Sequence, residues 1–179
     1  ATRVLSIAAG VSIATLQRAT GPSVAVVRSM PNTPALVGQG AAGIAGGTTA
    51  SEADMQWAHD ILGSVGVVVR VPEAQLDAVT GVAGSGPAYV FLVAEALIDA
   101  GVLAGLSRAN AEVLVTQLLV GSAALLAERG NPALLRAQVT SPGGTTAAGL
   151  RALEDHAVRA AFIDAVVSAT ARSVELGSH

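Results

Sequence analysis

The hydrophobic pattern of this chain changes once, close to Pro72. Before Pro72, short apolar runs alternate with turn residues; after it, apolar residues recur three and four positions apart. Short continuous apolar runs are typical of strands that are buried on both faces, whereas the wider spacing is typical of helices. The pattern therefore predicts a strand-and-helix part, residues 1–72, followed by an all-helical part, residues 73–179.

The first part contains four apolar runs that we interpret as strands. They are residues 3–9, 23–28, 41–45 and 65–71. Ser12 and Ser51 stand at the start of the two helices predicted between them, 13–18 and 51–62, as capping residues do. Strand–helix–strand order is typical of a doubly wound sheet, so the fold class expected here is α/β, a Rossmann-like sheet.

The second part reads as a series of helices. They are predicted over residues 89–103, 108–129, 132–138, 145–154 and 156–175. Apolar residues cover nearly the whole circumference of 108–129, so we expect that helix to be central and buried on all sides. Glu95 and Asp99 share one helix face, but no histidine or third carboxylate is near, which favours a solvated role over acid–base chemistry.

Composition indicates a second chain and excludes several kinds of function. Apolar residues make up 51% and charged residues 13%, against a typical charged share of about 25%, so much of the surface is expected to be buried by a partner. A net charge of −3 with no basic run argues against nucleic acid. The absence of cysteine excludes disulfides and fits a cytoplasmic location.

Two other site classes find no support in the sequence. His59, His156 and His179 stand at no metal-ligand spacing, so no metal site is predicted. The apolar run 113–127 lies between Glu112 and Glu128 and is shorter than the roughly 20 residues that a bilayer requires. We therefore predict no transmembrane helix, and no secretory signal is legible.

The strongest candidate site is the polar, glycine-rich loop 139–146, which lies between two helix-patterned segments. Pro142 ends the preceding helix, and Gly143 and Gly144 let a ligand approach the backbone. The N–H groups of Gly144, Thr145 and Thr146 would then form an anion site at a helix start. The alternative is an ordinary cap in which Ser141 or Thr145 satisfies these amides, and the eight residues alone favour the cap.

A second candidate follows the strand 23–28, where Met30-Pro31-Asn32-Thr33-Pro34 fixes a non-helical path. Ligands of such sheets bind outside the carboxyl ends of strands, and the Asn32 amide could orient a cofactor ring. Taken alone, a turn in which Asn32 caps the next segment is the favoured interpretation. Neither G-x-G-x-x-G nor a phosphate loop with lysine is present.

Four motifs in one order carry a family resemblance. They are Ser6-Ile7-Ala8-Ala9-Gly10, Arg28-Ser29-Met30-Pro31-Asn32-Thr33-Pro34, the stretch from Ala78 to Tyr89, and Ser141-Pro142-Gly143-Gly144-Thr145-Thr146. Together they closely resemble the pyrroline-5-carboxylate reductase family, from about Val4 to Leu176. The amino-terminal half of the family's dinucleotide-binding domain, including its glycine-rich turn, is missing, so a fragment is expected, with the remaining strands of the sheet left with an exposed edge.

The resemblance implies an activity and a partner. In the family, a nicotinamide-binding Rossmann domain precedes a helical dimerisation domain that interlocks with a second copy, and some members form rings of dimers. Hydride passes from NADPH or NADH to the C=N carbon of 1-pyrroline-5-carboxylate, which gives L-proline.

The resemblance also assigns residues. The nicotinamide side of the cofactor would lie along Ala8, Ala9, Met30, Pro31 and Asn32. The substrate would be held by Ser141, Gly144, Thr145 and Thr146. Thr146 would take the catalytic role, a hydrogen bond to the imine nitrogen, which gains a proton as hydride arrives.

Two other functions stay open. One is a different Rossmann-type imine or hydroxyacid oxidoreductase; such enzymes commonly use a lysine as acid or base, and this chain has none. The other is a dimerisation module without activity, which the missing glycine-rich turn favours for the fragment by itself.

Overall fold

The computed structural model describes residues 2–177, and its elements follow the predicted order. The strand-and-helix part consists of β1 (Arg3–Ser6), α1 (Ile13–Thr20), β2 (Ala25–Met30), β3 (Gly40–Gly46), α2 (Glu52–Gly63) and β4 (Gly66–Arg70). The helices that follow are α3 (Leu76–Val79), α4 (Gly86–Leu103), α5 (Arg108–Arg129), α6 (Pro132–Gln138), α7 (Thr145–Asp155) and α8 (Val158–Leu176). Within 71–177 the structure contains no strand, as predicted.

The four strands form one sheet in the order β1-β2-β3-β4. β1 and β2 are parallel, as are β3 and β4, but β3 runs antiparallel to β2. The sequence analysis did not predict this reversal. The short link 31–39 holds only one 3-10 turn, Thr33–Val37, and a parallel crossover needs about a dozen residues or more.

Both faces of the central strands are covered by helices. Val26 and Met30 of β2 lie in one cluster with Ile13 of α1 and Leu76 of α3. Val27 of β2 faces the other way and packs with Ile44 of β3 and Ala58 of α2. Because consecutive strand residues point to opposite faces, the continuous apolar runs of β2 and β3 fill both clusters, as the Rossmann-like interpretation requires.

Contacts divide the chain into two compact units. The first combines the described residues up to Pro87 with the chain from Ile163 onward, and the second is Ala88–Phe162. These limits differ from the predicted change of domain between residues 72 and 73, which stays a prediction. Residues 1, 178 and 179, at the outer limits of the predicted domains, lie outside the described residues, as does His179.

The single chain does not bury α5 on all sides, so the predicted burial of this helix requires a partner and stays a prediction. Only Ala111 and Val115 of this helix are buried, whereas Val113 is 69% exposed and Val120 59%. α4 has no buried residue at all. The apolar pattern of α5 was identified correctly, but the described residues of this chain bury only a small part of its apolar surface.

Two helical stretches, Glu73–Leu103 and Arg108–Arg129, are long and apolar enough to cross a membrane by length and composition alone. Core helices of soluble proteins pass the same test, so this is weak evidence. The absence of a transmembrane helix remains a prediction from the sequence.

A capping box fixes the start of α2. The Asp54 amide donates to the Ser51 hydroxyl, while the Asp54 carboxylate accepts from the Ser51 amide at 2.9 Å and the Ser51 hydroxyl at 2.6 Å. Arg3 of β1 reaches the same carboxylate at 2.7 Å and lies over the Trp57 ring. The hydrogen bond from the Ser51 hydroxyl, then that from its amide, lowers the pKa of Asp54 below its ordinary 3.8.

We predict an acid-sensitive contribution of Asp54 to stability. Because its folded pKa lies below the unfolded value of 3.8, the contribution is complete above that value and is lost as pH falls through the folded pKa. Ser51→Ala should lower the free energy of unfolding by about 1 kcal/mol and move this loss to higher pH. Urea unfolding measured at a series of pH values, from neutral pH to below 3.8, measures both effects.

The matched control is Ser64→Ala at the other end of α2, whose hydroxyl donates to the Ile61 carbonyl. It should leave the pH profile unchanged. An Asp54→Asn variant with the wild-type pH profile would contradict the assignment.

Candidate active site

The segments that follow β1 and β2 leave the sheet side by side, at the carboxyl ends of these two strands. The two strands are parallel, with Ser6 opposite Arg28, so their carboxyl ends are neighbours. Ala8 and Ala9 are exposed, and Pro31 and Asn32 are half-buried. The structure therefore brings these four predicted cofactor residues to the position where doubly wound sheets bind ligands.

Met30 differs from the other predicted cofactor residues. Its side chain is only 6% exposed and lies in the cluster around Val26 and Leu76. Its side chain therefore belongs to the core of the first unit.

Gly10 closes the loop that follows β1. Its φ is +72°, and a Cβ there would lie 2.9 Å from the carbonyl oxygen of Leu176 at the end of α8. A side chain is thus excluded both by conformation and by space. The loop that contains Ala8 and Ala9 is held against the end of α8 within the first unit.

The Asn32 side chain bridges two parts of the first unit. Its Nδ2 donates to the Ala83 carbonyl at 3.0 Å, and its Oδ1 accepts from the Ala41 amide at 2.8 Å. Asn32 is also the N-cap residue of the 3-10 turn that follows, as the alternative interpretation predicted, but it caps through its backbone carbonyl, which accepts from the Ala35 amide at 3.2 Å, and not through its side chain. One amide hydrogen of Asn32 remains for a ligand.

The Ala83 carbonyl is presented by a π turn, Thr80–Gly84, between α3 and α4. The Ser85 amide donates to the Thr80 carbonyl at 2.8 Å, and a Cβ on Gly81 would lie 2.3 Å from the Thr170 hydroxyl of α8. The sequence pattern instead predicts a helical stretch from residue 73 or 74 that is interrupted at Gly84-Ser85-Gly86-Pro87, so the π turn begins four residues before the predicted interruption. The glycines at 81 and 84 were the available signal, because π turns lack a sequence pattern as clear as that of an α-helix.

The loop before α7 is a tight turn. Gly143 has a φ of +70°, and the Gly144 amide donates to the Ser141 carbonyl at 3.1 Å. Proline at the second position and a left-handed glycine at the third are typical of a type II turn. A Cβ on Gly144 would lie 2.4 Å from the Ser141 hydroxyl. The predicted free N–H of Gly144 is therefore wrong, since the turn itself uses it.

Within residues 2–177, no side chain caps α7. Gly144 is its N-cap residue, with no side-chain hydrogen bond to the first turn, so the alternative with Ser141 or Thr145 as a cap is wrong. Thr145 and Thr146 are exposed. Among the described residues, no hydrogen bond to their hydroxyls or amides is found. An uncapped helix start with two adjacent hydroxyls suits a small anion.

A shallow pocket adjoins the same loop in the second unit. It has a volume of about 400 Å³ and is lined by Arg136, Thr140, Leu150, Glu154 and Arg159. Arg159 pairs with Glu154 at 2.7 Å, whereas Arg136 has no ion-pair partner within residues 2–177. Arg136 was not predicted as a site residue, because it lies on the helix before the loop and not within the loop.

The carboxylate pair and the metal site considered in the sequence analysis do not form among residues 2–177. Asp99 pairs with Arg108 at 2.8 Å, and both side chains are exposed, in line with the solvated role predicted for it. The residues between 2 and 177 contain no group of three His, Cys, Asp or Glu side chains that could hold a metal.

Comparison with known proteins places these motifs in a family. The family model described as pyrroline-5-carboxylate reductase dimerisation matches residues 73–176. Curated relatives include the pyrroline-5-carboxylate reductases of Methanosarcina acetivorans, 47% identical, and of Synechocystis, 51% identical. Each alignment covers 97% of this chain and 65% of the relative. The chain thus spans slightly less than two thirds of the length of these relatives.

Solved structures give the same result. The pyrroline carboxylate reductase of Plasmodium falciparum, solved with NADP bound, matches with a TM-score of 0.89 and 36% identity over 97% of this chain and 71% of that one. The enzyme of Coxiella burnetii matches with a TM-score of 0.93 and 38% identity, over 97% of this chain and 65% of that one. The fold is therefore the carboxyl-side part of a Rossmann domain followed by a helical dimerisation domain.

We predict that Asn32→Asp destabilises the protein. The carboxylate can still accept from the Ala41 amide, but it cannot donate to the Ala83 carbonyl and places charge against that oxygen. Leaving a half-buried acceptor unpaired should lower the free energy of unfolding by about 1–3 kcal/mol, measured by urea unfolding at neutral pH. Gln39→Glu makes the same chemical change on an exposed side chain, and equal losses in the two variants would show that the Asn32 bridge contributes nothing.

Proposed function

Because this chain belongs to the pyrroline-5-carboxylate reductase family, we propose that the full-length protein reduces 1-pyrroline-5-carboxylate to L-proline with NADPH or NADH. The observation that supports this most directly is the uncapped start of α7. It offers amides and two hydroxyls to a ligand without using any of them in the fold. A substrate with one carboxylate and one imine nitrogen needs those two kinds of partner.

In this proposal, the carboxylate of the substrate binds at the first turn of α7. The Thr145 and Thr146 amides donate to it, and the positive end of the helix dipole favours its charge. Ser141 and Gly144 hold the shape of the turn, and the Ser141 hydroxyl lies beside it. No cation is needed within the loop, although Arg136 on the preceding helix adds a favourable field.

The Thr146 hydroxyl has the second task, a hydrogen bond to the imine nitrogen. That nitrogen gains a proton as its carbon is reduced, so a hydroxyl placed there can stabilise the change in charge. Thr146 is exposed and unused in the fold, which leaves it available for this contact.

The cofactor would lie along the edge formed by the segments after β1 and β2. When bound, NADPH or NADH supplies the hydride. Ala8 and Ala9 are small and exposed, so a flat ring can approach their backbone, and Asn32 retains one N–H to orient it. The chain contains no G-x-G-x-x-G turn for the pyrophosphate, and we propose that cofactor affinity requires further residues of the full-length protein.

We also propose that the protein is a homodimer in the cytoplasm, with rings of dimers as a further level of assembly. The exposed apolar residues of α4 and α5 support an interlocked partner, because monomeric proteins rarely expose apolar patches of this extent. The absence of cysteine fits a reducing compartment.

The dimerisation module is the second candidate for the chain taken alone. The family match that is named for dimerisation begins at residue 73 and includes most of the chain. Titration of NADPH fluorescence separates the two functions, since a complete cofactor site should bind at micromolar concentration and the 179-residue chain hardly at all. The alternative of a different Rossmann-type oxidoreductase is tested by comparing the activity of the full-length protein on 1-pyrroline-5-carboxylate with its activity on hydroxyacids.

We predict that Thr146→Ala in the full-length protein reduces kcat more than it weakens substrate binding. The amides that hold the carboxylate remain, whereas an interaction that strengthens in the transition state is lost. Positioned proton transfer contributes about 10²–10⁴-fold, and water can partly replace a hydroxyl, so we expect a loss of about 10²-fold or less. Steady-state kinetics with saturating NADPH measure it.

Thr145→Ala is the matched control, one residue earlier on the same helix turn. If Thr145 contributes mainly its amide, this variant should lose much less activity. If Thr146→Ala keeps the wild-type kcat while Thr145→Ala lowers it, the hydroxyl at the imine nitrogen belongs to Thr145 and not to Thr146. No change in either would remove the loop from the active site.

A further inference from the structure

Arg136 is the only arginine within residues 2–177 whose side chain makes neither an ion pair nor a hydrogen bond. Each of the other arginines is paired with a carboxylate or, in the case of Arg18, donates to the Thr15 hydroxyl. Arg136 lies in the last turn of α6 and is exposed. Its charge is therefore not compensated within the described part of the chain.

This free charge lies beside the loop that we propose as the substrate site. Thr140, near the start of loop 139–146, donates its hydroxyl to the Arg136 carbonyl at 2.6 Å. The two residues also line the same open pocket of about 400 Å³. Both belong to the unit Ala88–Phe162, so their proximity is a property of that unit alone.

No carboxylate near the loop is left free to cancel the charge of Arg136 among residues 130–150 or in the lining of the pocket. Between Arg129 and Arg151, Arg136 is the only charged residue of the chain. The carboxylate in the pocket lining belongs to Glu154, which is paired with Arg159 at 2.7 Å. The potential at the mouth of the pocket is therefore positive, although the whole chain carries a net charge of −3.

We propose that Arg136 is a specificity-determining residue, whose charge selects imines that carry a carboxylate and favours their binding at the start of α7. This inference rests on the proposed reduction of 1-pyrroline-5-carboxylate and deepens it. The amides of Thr145 and Thr146 recognise the carboxylate at short range. Arg136 adds a longer-range attraction, which a neutral imine does not experience.

The attraction has two properties that can be measured. The carboxylate keeps its charge throughout hydride transfer, so Arg136 favours the bound substrate and the transition state equally, which lowers KM without changing kcat. Because Arg136 is exposed, salt screens the attraction: the Debye length is about 30 Å at an ionic strength of 0.01 M and about 3 Å at 1 M. Both properties separate Arg136 from Thr146, whose loss should lower kcat.

A purely structural role is the alternative for Arg136. A cation in the last turn of a helix interacts favourably with the carbonyl end of the helix dipole, and Arg136 is the basic residue in the last turn of α6. Loss of that interaction alone would lower the stability of α6. It would not change the substrate KM in a way that depends on salt.

The experiment measures steady-state kinetics of the full-length protein with saturating NADPH, at ionic strengths of about 0.01 M and about 1 M. The variants are Arg136→Gln, Arg136→Lys and Arg136→Glu, and the KM for NADPH is measured in each as well. Arg108→Gln is the matched control, because it removes the same charge from an exposed side chain. Arg108 begins α5, and the length of that helix places it about 30 Å from the end that precedes α6.

At low ionic strength, we expect Arg136→Gln to raise the substrate KM about threefold to tenfold with kcat unchanged. Arg136→Glu should raise KM by about the square of that factor, because the charge changes by two units instead of one. Arg136→Lys and Arg108→Gln should stay within about twofold of the wild type. At about 1 M, the ratio of each variant's KM to the wild-type KM should fall to about twofold or less.

A neutral substrate tests the specificity directly. 1-Pyrroline is the same ring without the carboxylate, and its kcat/KM is followed with excess protein. Arg136→Gln should lower kcat/KM for 1-pyrroline-5-carboxylate and leave that for 1-pyrroline unchanged. An equal decrease for both substrates would contradict the assignment.

Four other results would overturn the proposal. They are a wild-type KM for Arg136→Gln at low ionic strength, a raised KM that persists at high ionic strength, a lysine variant as weak as the glutamine variant, and a larger effect on the KM for NADPH than on that for the imine. A wild-type protein that does not reduce 1-pyrroline-5-carboxylate would instead overturn the proposed function, and this inference with it.

Discussion

Apolar surface that one chain cannot bury is the constraint on which this structure depends. The sheet solves it internally at β2 and β3, where α1 and α3 cover one face and α2 the other. The helices α4 and α5 have no comparable cover, and neither does the outer face of β4. Exposed apolar area is unfavourable in water, so the helical segment is suited to association with a partner. A surface that a partner covers needs few charged residues, which agrees with the charged share of only 13% in this chain.

The candidate substrate loop depends on a conformational constraint of a different kind. Pro142 and the left-handed Gly143 make a turn that leaves Gly144, a residue without a side chain, at the cap position of α7. A serine or threonine there would occupy the first-turn amides with its own oxygen. The turn thus keeps the helix start free for a ligand, and it does so with backbone geometry instead of a charged side chain.

The helices and strands were predicted well, because the short apolar runs of the strands and the three- and four-residue spacing of the helices are both clear in the sequence. α5 and α6 begin and end where they were predicted, and the strands differ from their predicted limits only at the ends. Two features escaped prediction because no local pattern encodes them. The reversal of β3 depends on how the link 31–39 folds, and the bridge from Asn32 to Ala83 joins residues far apart in sequence.

Within the candidate site, the sequence identified the right loops but not the groups that act in them. Without the family resemblance it favoured a side-chain cap over an anion site, and that was wrong because Gly144, which has no side chain, occupies the cap position. It also could not show that the Gly144 amide is used by the turn. The family resemblance supplied the residue roles, and the structure shows which of those side chains the fold leaves available.

The π turn at Thr80–Gly84 limits how this chain can vary in length. A π turn contains one residue more than the α-helical path would need, and here that residue lets the Ala83 carbonyl meet Asn32. Deleting any one residue between 80 and 84 would restore a continuous helix and rotate all of α4 that follows by about 100°. Single-residue deletions should therefore be rare in this stretch, even though it is rich in glycine.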